Sequence, residues 1–162
     1  MDQSWIRLDA SMSHLRGWTS RVDVGFYQFD DRNIHFPAVY NGLNWSCGWI
    51  DKYSAIDVLR HEFGHALADR YPQVLRDGDL FKKAFGGPHG VRPAKGTDKD
   101  DWEGRCVTGY AATATREDFA ETFMFFVKQK GKIPARFAKK PAIRKKWKAV
   151  GEIVRRVAAE AE

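Results

Sequence analysis

SAIDVLRHEFGHALADRYP, residues 54–72, predicts a single helix around which the rest of the chain has to fold. Ser54 with Asp57 three positions later resembles a capping box, the pair of side chains that closes the start of a helix. Pro72 disfavours helical geometry at the residue before it, so we expect the helix to end at about Arg70. The helix is therefore bounded at both ends by its own sequence.

Two sides of this helix differ in chemistry. Apolar residues at helical spacing predict a side that packs on a core. They are Ile56, Leu59, Phe63 and Leu67. His61 and His65, one turn apart, lie nearly opposite that side and project together from one face.

His61, Glu62 and His65 form the pattern H-E-x-x-H. Imidazoles one turn apart on a helix can both reach a zinc ion at about 2.0–2.1 Å. Glu62 would lie beside the metal without binding it, and we expect it to take a proton from the water that attacks a carbonyl. The pattern therefore predicts a site for one zinc ion and a general base. The alternative is a helix whose histidines only form hydrogen bonds within the core.

A third ligand is expected after this helix, because zinc hydrolases usually hold the ion with three protein groups. Thr115 with Asp118 predicts a second helix cap, and the helix should run to about Lys130. Glu117 falls in its first turn and is the candidate ligand. Glu121, one turn further along the same face, is the candidate carboxylate for the other N–H of a ligand histidine. A glutamate at a helix N-terminus is also favourable without any metal, so that interpretation stays open.

The segments before the motif helix resemble strands. Residues 21–29 alternate apolar and polar positions, and residues 33–40 predict a second strand, at or near a sheet edge because Pro37 cannot donate to a ladder. Strands before the helix and only helices after it predict an α+β domain with a small N-terminal sheet. Residues 1–162 should form this single domain, since 43% hydrophobic and 14% aromatic residues can fill one sizeable core.

The positive charge is concentrated near the end of the chain. The net charge is +6, and no acidic residue occurs between Thr122 and Gly151. Such a run could bind nucleic acid or an acidic partner, but we favour a solvated helix face because an apolar stripe follows the same helix. The stripe comprises Ile143, Trp147, Val150, Val154 and Val157. No apolar run approaches membrane-spanning length and no signal peptide is apparent, so we expect no membrane contact. We also expect a monomer.

Cys47 and Cys106 are the two cysteines of the chain. Neither has a second Cys or His at ligand spacing, so two free buried thiols are the preferred interpretation. A disulfide between them, or metal ligation, stays open.

The two motifs together carry a family resemblance. HEFGHALADRY, residues 61–71, followed by GYAATATREDFAETF, residues 109–123, resembles the catalytic domain of anthrax lethal factor and the related Pro-Pro endopeptidases. These proteins are zincins whose third ligand is a glutamate on a later helix. The resemblance implies a zincin-like fold and a metallopeptidase activity.

The resemblance also implies roles for single residues. The family's tyrosine, seven positions before the ligand glutamate, falls on Tyr110, which would donate a hydrogen bond to the oxyanion. Its further glutamate, four positions after the ligand, falls on Glu121. The implied ligands are His61, His65 and Glu117, and the implied base is Glu62.

Three other ligand patterns fit the sequence less well. A metzincin would carry a histidine where Tyr71 stands, and an aspzincin would carry an aspartate where Lys99 stands. Asp98 or Asp100 could serve only with a shift of register. His89 is a ligand of the kind used by SprT-like proteases, but its glycine-rich setting favours an ordinary loop histidine.

The sequence thus predicts a zinc-dependent endopeptidase that hydrolyses protein or peptide substrates through a metal-activated water. An extended substrate could pair with an exposed strand, for which residues 33–40 are the candidate. Two alternatives stay open. One is a DNA-associated, SprT-like metalloprotease, and the other is a zinc-containing module of a toxin or phage particle that binds peptides without cutting them.

Overall fold

The computed structural model of the protein describes residues 6–9, 26–28, 33–37, 53–75, 79–94 and 102–160. Within them the chain forms α1 (Ala55–Arg70), α2 (Pro72–Leu75), α3 (Asp79–Phe85), α4 (Thr115–Lys128), α5 (Ala135–Ala138) and α6 (Pro141–Glu160), with a 3₁₀ helix at Ala111–Thr113. Three short strands precede the helices: β1 (Ile6–Asp9), β2 (Phe26–Gln28) and β3 (Asn33–Pro37).

The predicted α+β class, with a zincin-like N-terminal sheet, is wrong for the described residues, which are mainly helical. Both large clusters of buried apolar side chains are built by helices and the connections between them. The strands are only four, three and five residues long. Alternation over so few positions is a weak strand signal, whereas the helices bury long apolar faces and so determine the class of the fold.

The predicted edge position of the second strand is also wrong. β3 lies between the other two strands, parallel to β1 and antiparallel to β2. Pro37 is the last residue of β3, opposite Asp9. A proline at the end of a strand interrupts no further ladder bond, so it is tolerated there without an edge position.

Both predicted ends of α1 are confirmed. The Ser54 hydroxyl accepts a hydrogen bond from the Asp57 amide at 3.2 Å, and the Asp57 carboxylate accepts one from the Ser54 amide at 3.2 Å. At the other end, the Tyr71 N–H donates to the Leu67 carbonyl at 3.0 Å. The helix ends at Arg70, as predicted from Pro72, which disfavours helical geometry at Tyr71.

The predicted apolar side of α1 is only partly buried. Leu67 is buried, but Leu59 and Phe63 are half-buried and pack with Ile34 of β3. Ile56 is 58% exposed, which contradicts its place in the predicted stripe. The opposite side, which carries the two histidines, is also buried, because it packs against α4.

Gly64 explains how closely α1 and α4 can approach. A Cβ atom at Gly64 would lie 3.1 Å from the Cα of Ala120. That distance is short for a carbon contact with a helix backbone, so a side chain at Gly64 would separate the two helices. The close approach brings the histidine face of α1 against the first turns of α4.

The start of α4 differs from the prediction. Thr115 is the first helical residue rather than the cap. Its hydroxyl donates to the Pro88 carbonyl at 2.7 Å and accepts from the Gly90 amide at 3.0 Å. Asp118 points to Lys146 of α6 instead of closing the helix, with Nζ and Oδ2 2.5 Å apart. The predicted cap pair of Thr115 and Asp118 is therefore wrong.

α6 buries the predicted stripe. Ile143, Trp147, Val150 and Val157 are buried, and Val154 is half-buried. Most basic residues of α6 are exposed, as expected for a solvated face. Lys146 is the exception: it is only 6% exposed and donates to Asp118 and to the Arg105 carbonyl.

Candidate metal centre

α1 and α4 bring three potential ligand atoms together. His65 Nε2 lies 3.1 Å from His61 Nε2 and 3.1 Å from Glu117 Oε2. His61 Nε2 lies 3.3 Å from the same Glu117 oxygen. The three residues are buried and form the one group of at least three potential metal ligands within the described ranges. The structure therefore assembles the three residues that the sequence singles out as ligands.

The spacing of these atoms suits a tetrahedral ion. A zinc ion at about 2.0–2.1 Å from each ligand places the ligand atoms about 3.3–3.4 Å apart. The observed separations are 3.1, 3.1 and 3.3 Å. Two imidazole nitrogens and one carboxylate oxygen also match the donor set of catalytic zinc sites. The residues present therefore fit a zinc ion with one coordination position left for water or substrate.

The charges at the site favour a cation. Burial alone would lower the pKa of His61, but hydrogen bonds to Glu117 and Glu121 raise it to about 10. Burial raises the pKa of Glu117, yet the hydrogen bonds to His61 and His65 outweigh it and hold this pKa well below its usual range. The carboxylates therefore attract positive charge to the point where the three ligand atoms meet.

Glu121 holds His61 from the side away from the ligand atoms. His61 Nδ1 lies 2.7 Å from Glu121 Oε1. A histidine that donates its other N–H to a carboxylate has a fixed tautomer and ring orientation, which suits metal ligation. His65 Nδ1 has no hydrogen-bond partner among the described residues. Glu121 thus stands where a carboxylate behind a ligand histidine was predicted.

Glu62 and Tyr110 border the same group. Glu62 is buried, at 8% exposure, and its charge acts on both His61 and Tyr110. The ring of Tyr110 is half-buried, and its centroid lies 5.8 Å from that of His61. Burial, followed by the charges of Glu117 and Glu62, raises the pKa of Tyr110. The phenol therefore keeps its proton at neutral pH and can donate a hydrogen bond.

Two polar residues at the site were not predicted from the sequence as partners of Glu121. The Tyr53 hydroxyl donates to Glu121 Oε2 at 2.5 Å, and the Thr108 hydroxyl donates to the same oxygen at 2.7 Å. A single hydroxyl residue has no spacing pattern that marks it as a partner of a distant carboxylate.

Arg116 is the third residue that was missed. Its Nε donates to Glu117 Oε1 at 2.8 Å, which leaves Oε2 to face the histidines. The only signal in the sequence is that Arg116 directly precedes the candidate ligand.

Of the other candidate ligands, only His89 lies among the described residues, and it is not part of this group. His89 packs its ring against Phe81, with centroids 5.4 Å apart, and against Phe119 at 6.3 Å. Tyr71, which stands where a metzincin would carry a histidine, is the C-terminal cap of α1. Asp98 and Asp100 lie outside the described residues.

One of the two cysteines can be placed. Cys106 is a free, buried thiol, as the preferred interpretation predicted. Burial and the nearby charge of Asp118 raise its pKa to about 11, so it stays a thiol at neutral pH. Cys47 lies outside the described residues.

Comparison with known proteins adds no family to this picture. No protein-family model matches the chain, and neither a curated protein nor a solved structure matches it. The likeness to the lethal factor family therefore remains a resemblance of two motifs. Among the described residues, no helix is both long enough and apolar enough to cross a membrane.

Proposed function

We propose that this chain is a zinc-dependent endopeptidase that holds one zinc ion with His61, His65 and Glu117. The observation that supports the proposal most directly is the mutual spacing of the three ligand atoms, 3.1 to 3.3 Å. A helix that only used its histidines for core hydrogen bonds would not need two imidazole nitrogens and a carboxylate oxygen to converge on one point.

Glu62 is the proposed general base. A bound zinc ion would polarise the carbonyl of the scissile peptide bond and lower the pKa of the attacking water towards about 7. Glu62 accepts the proton of that water, because its charge acts on His61 and Tyr110 while it is not one of the three grouped ligands. It then returns the proton to the leaving nitrogen, which completes the hydrolysis.

Tyr110 is the proposed donor to the oxyanion. Its phenol keeps the proton because burial and two nearby carboxylates raise its pKa. A preorganised donor aimed at the developing negative charge typically contributes about 2.7–4 kcal/mol in other enzymes. Tyr110 thus stabilises the transition state, while Glu62 transfers the proton from the water to the leaving nitrogen.

The substrate of the proposed reaction is a protein or peptide. The expected pairing of the substrate with residues 33–40 is wrong, because β1 and β2 occupy both edges of β3. The proposal therefore rests on the residues around the candidate metal centre and not on a strand that receives the substrate.

Substitution of the base tests the proposal. Wild type, Glu62→Gln and Glu103→Gln are purified, zinc per chain is measured by atomic emission, and each protein is incubated with a diverse peptide library. Glu103 is exposed and is the matched control. All three should hold about one zinc ion, and only Glu62→Gln should lose turnover, by about 10²–10⁴-fold.

Two outcomes would contradict the proposal. A wild-type chain without zinc, or a Glu62→Gln protein with unchanged turnover, would remove the metallopeptidase assignment. A wild-type chain that holds zinc but cleaves no peptide of the library would favour a peptide-binding module instead.

A further inference from the structure

The carboxylate of Glu121 joins three separate segments of the chain. Glu121 is fully buried, at 0% exposure. One of its oxygens faces His61 of α1, and the other accepts from Tyr53 before α1 and from Thr108 before the 3₁₀ helix. A buried carboxylate with this many donors is fixed in orientation, because each hydrogen bond restricts it from a different direction.

Thr108 uses its hydroxyl twice. It donates to Glu121 Oε2 at 2.7 Å and accepts from the Ala111 amide at 3.1 Å. Thr108 is only 4% exposed, so both bonds are shielded from water. A hydroxyl can act as donor and acceptor at the same time, and here its two partners belong to different parts of the site.

The bond to Ala111 determines how Tyr110 is presented. Tyr110 lies between Thr108 and Ala111, inside the turn that this bond closes. The Tyr110 carbonyl is held on the other side by Thr113, whose amide donates at 3.0 Å and whose hydroxyl donates at 2.7 Å. The backbone around Tyr110 is therefore held by Thr108 on one side and by Thr113 on the other. Only the contact made by Thr108 also links this turn to Glu121.

We propose that Thr108 is a positioning residue that couples the metal ligands to the oxyanion donor. Through Glu121 it supports the orientation of His61, and through the Ala111 amide it holds the turn that carries Tyr110. This inference rests on the proposed function. It adds a residue that neither the H-E-x-x-H pattern nor the two glutamates of α4 indicate.

Tyr53 provides an internal comparison. Its hydroxyl donates to the same Glu121 oxygen, but Tyr53 belongs to the segment before α1 and not to the turn around Tyr110. Tyr53→Phe and Thr108→Val each remove one donor to Glu121. Only Thr108→Val also removes the acceptor for the Ala111 amide, and Thr108→Ser keeps both bonds.

The experiment uses the full chain with zinc bound and three measurements. Zinc affinity is measured by competition with a chelator, hydrogen exchange of the Ala111 amide by NMR, and kcat and KM on a peptide that the wild type cleaves. Thr115→Val is the control, because its hydroxyl also both donates and accepts, but at the Pro88–Gly90 turn.

We expect Tyr53→Phe and Thr108→Val to give different results, because only Thr108 contacts both Glu121 and the turn around Tyr110. Tyr53→Phe and Thr108→Val should both weaken zinc binding, by less than the roughly 10–100-fold that loss of a direct partner of a ligand costs. Only Thr108→Val should speed exchange at Ala111 and lower kcat, by up to about 10²-fold, with little change in KM. Thr108→Ser should resemble the wild type in all three measurements, and Thr115→Val should leave exchange at Ala111 unchanged.

The inference is overturned if Thr108→Val keeps wild-type exchange at Ala111, if it loses no more turnover than Tyr53→Phe, or if Thr108→Ser is equally damaged. Should Thr108→Val not fold, Thr108→Ala is judged by the same measurements. A wild-type chain without zinc or turnover would remove the proposed function itself. An active, zinc-loaded wild type with an unaffected Thr108→Val protein would remove only this inference.

Discussion

α1 and α6 both carry an apolar stripe in the sequence, yet only α6 is buried the way its stripe predicts. In α6 the stripe residues Ile143 and Val150 have 0% exposure, and Trp147 has 5%. In α1 the stripe residue Ile56 is 58% exposed, whereas His61 is only 7% exposed. Hydrophobic periodicity therefore identifies most of the buried side of α6, and it fails for α1, whose polar side meets partners.

The partners on α4 explain the difference. A buried polar group costs free energy unless it finds a hydrogen bond. His61 finds Glu117 and Glu121, and His65 finds Glu117. Because these carboxylates stand on α4, the histidine side of α1 can be buried at little cost. Departures from the hydrophobic pattern are expected at functional sites, where other requirements outweigh local preference.

The largest expected effect tests the one residue of α6 that breaks its own pattern. Lys146 is buried and pairs with Asp118 at 2.5 Å. Removal of one partner of a buried ion pair leaves an uncompensated charge and typically costs about 3–5 kcal/mol. Lys146→Met should therefore lower the free energy of unfolding by about that amount, as measured by urea denaturation.

Lys145→Met is the matched control for this variant. Lys145 is exposed on the same helix, so its loss should change the free energy of unfolding by less than about 0.5 kcal/mol. An equal loss of unfolding free energy in both variants would mean that Lys146 is solvated like the other lysines of α6 and that its pair with Asp118 does not stabilise the fold.

The next effect compares the stripes of α1 and α6 by the same substitution. Ile143→Ala removes a side chain with 0% exposure and should cost about 2–5 kcal/mol, from lost burial and from the cavity that remains. Ile56→Ala removes a side chain that is 58% exposed and should cost about 0.5 kcal/mol or less. Urea unfolding of both variants measures the difference, and similar losses would restore Ile56 to the core of α1.

A third effect tests the close approach of α1 and α4. In a helix interior, Gly→Ala usually gains up to about 1 kcal/mol of stability. At Gly64 the new methyl group would lie 3.1 Å from the Cα of Ala120. Overpacking of this kind costs about 1–3 kcal/mol, so Gly64→Ala should be net destabilising. It should also weaken zinc binding, because α1 carries the histidines and α4 carries Glu117.

Gly151→Ala on α6 is the counterpart. Its methyl group would meet the ring of Phe126 at 3.3 Å. A side-chain ring can shift where a helix backbone cannot, so this variant should keep or gain stability in urea. A Gly64→Ala protein that is more stable than wild type and binds zinc equally well would contradict the tight contact between α1 and α4.

The candidate site shows how much could be predicted from the sequence. His61 and His65 could be paired because the helix that separates them by one turn is local and well bounded. Glu117 is distant in the chain, and it was indicated by its place in a later helix and by the family resemblance. The structure brings these three together, whereas their roles in zinc binding and catalysis stay predictions.

The rest depended on contacts that have no signature in the sequence. Thr108 and Tyr53 contact Glu121 only in the folded chain, and no sequence spacing links them to it. Nothing in the sequence distinguishes Lys146, which is buried, from the exposed lysines of the same basic run. The predicted fold class failed for a related reason. Strands do lie within both predicted segments, at Phe26–Gln28 and Asn33–Pro37, but they are too short to determine the fold. The segments that contain them alternate for only a few residues, while the helices have enough apolar surface to determine the fold.

The smallest expected effect concerns the start of α1, where sequence and structure agree. Burial raises the pKa of Asp57, but hydrogen bonds from Lys128 and Ser54 outweigh it and hold the pKa below its usual range. A carboxyl group whose pKa is lower in the folded chain stabilises the fold above its unfolded pKa of about 3.9. That contribution is lost as the pH falls through the folded value.

Asp57→Asn should therefore cost about 1 kcal/mol at neutral pH, the usual value of a helix cap, and less as the pH falls below about 4. Urea unfolding at several pH values measures both. Asp79→Asn is the control, since the Asp79 side chain is 77% exposed in its pair with Lys83. A deficit of Asp57→Asn that is independent of pH would mean that shape, and not charge, closes the first turn of α1. The well-predicted end of this helix would then rest on a different interaction from the one its sequence indicates.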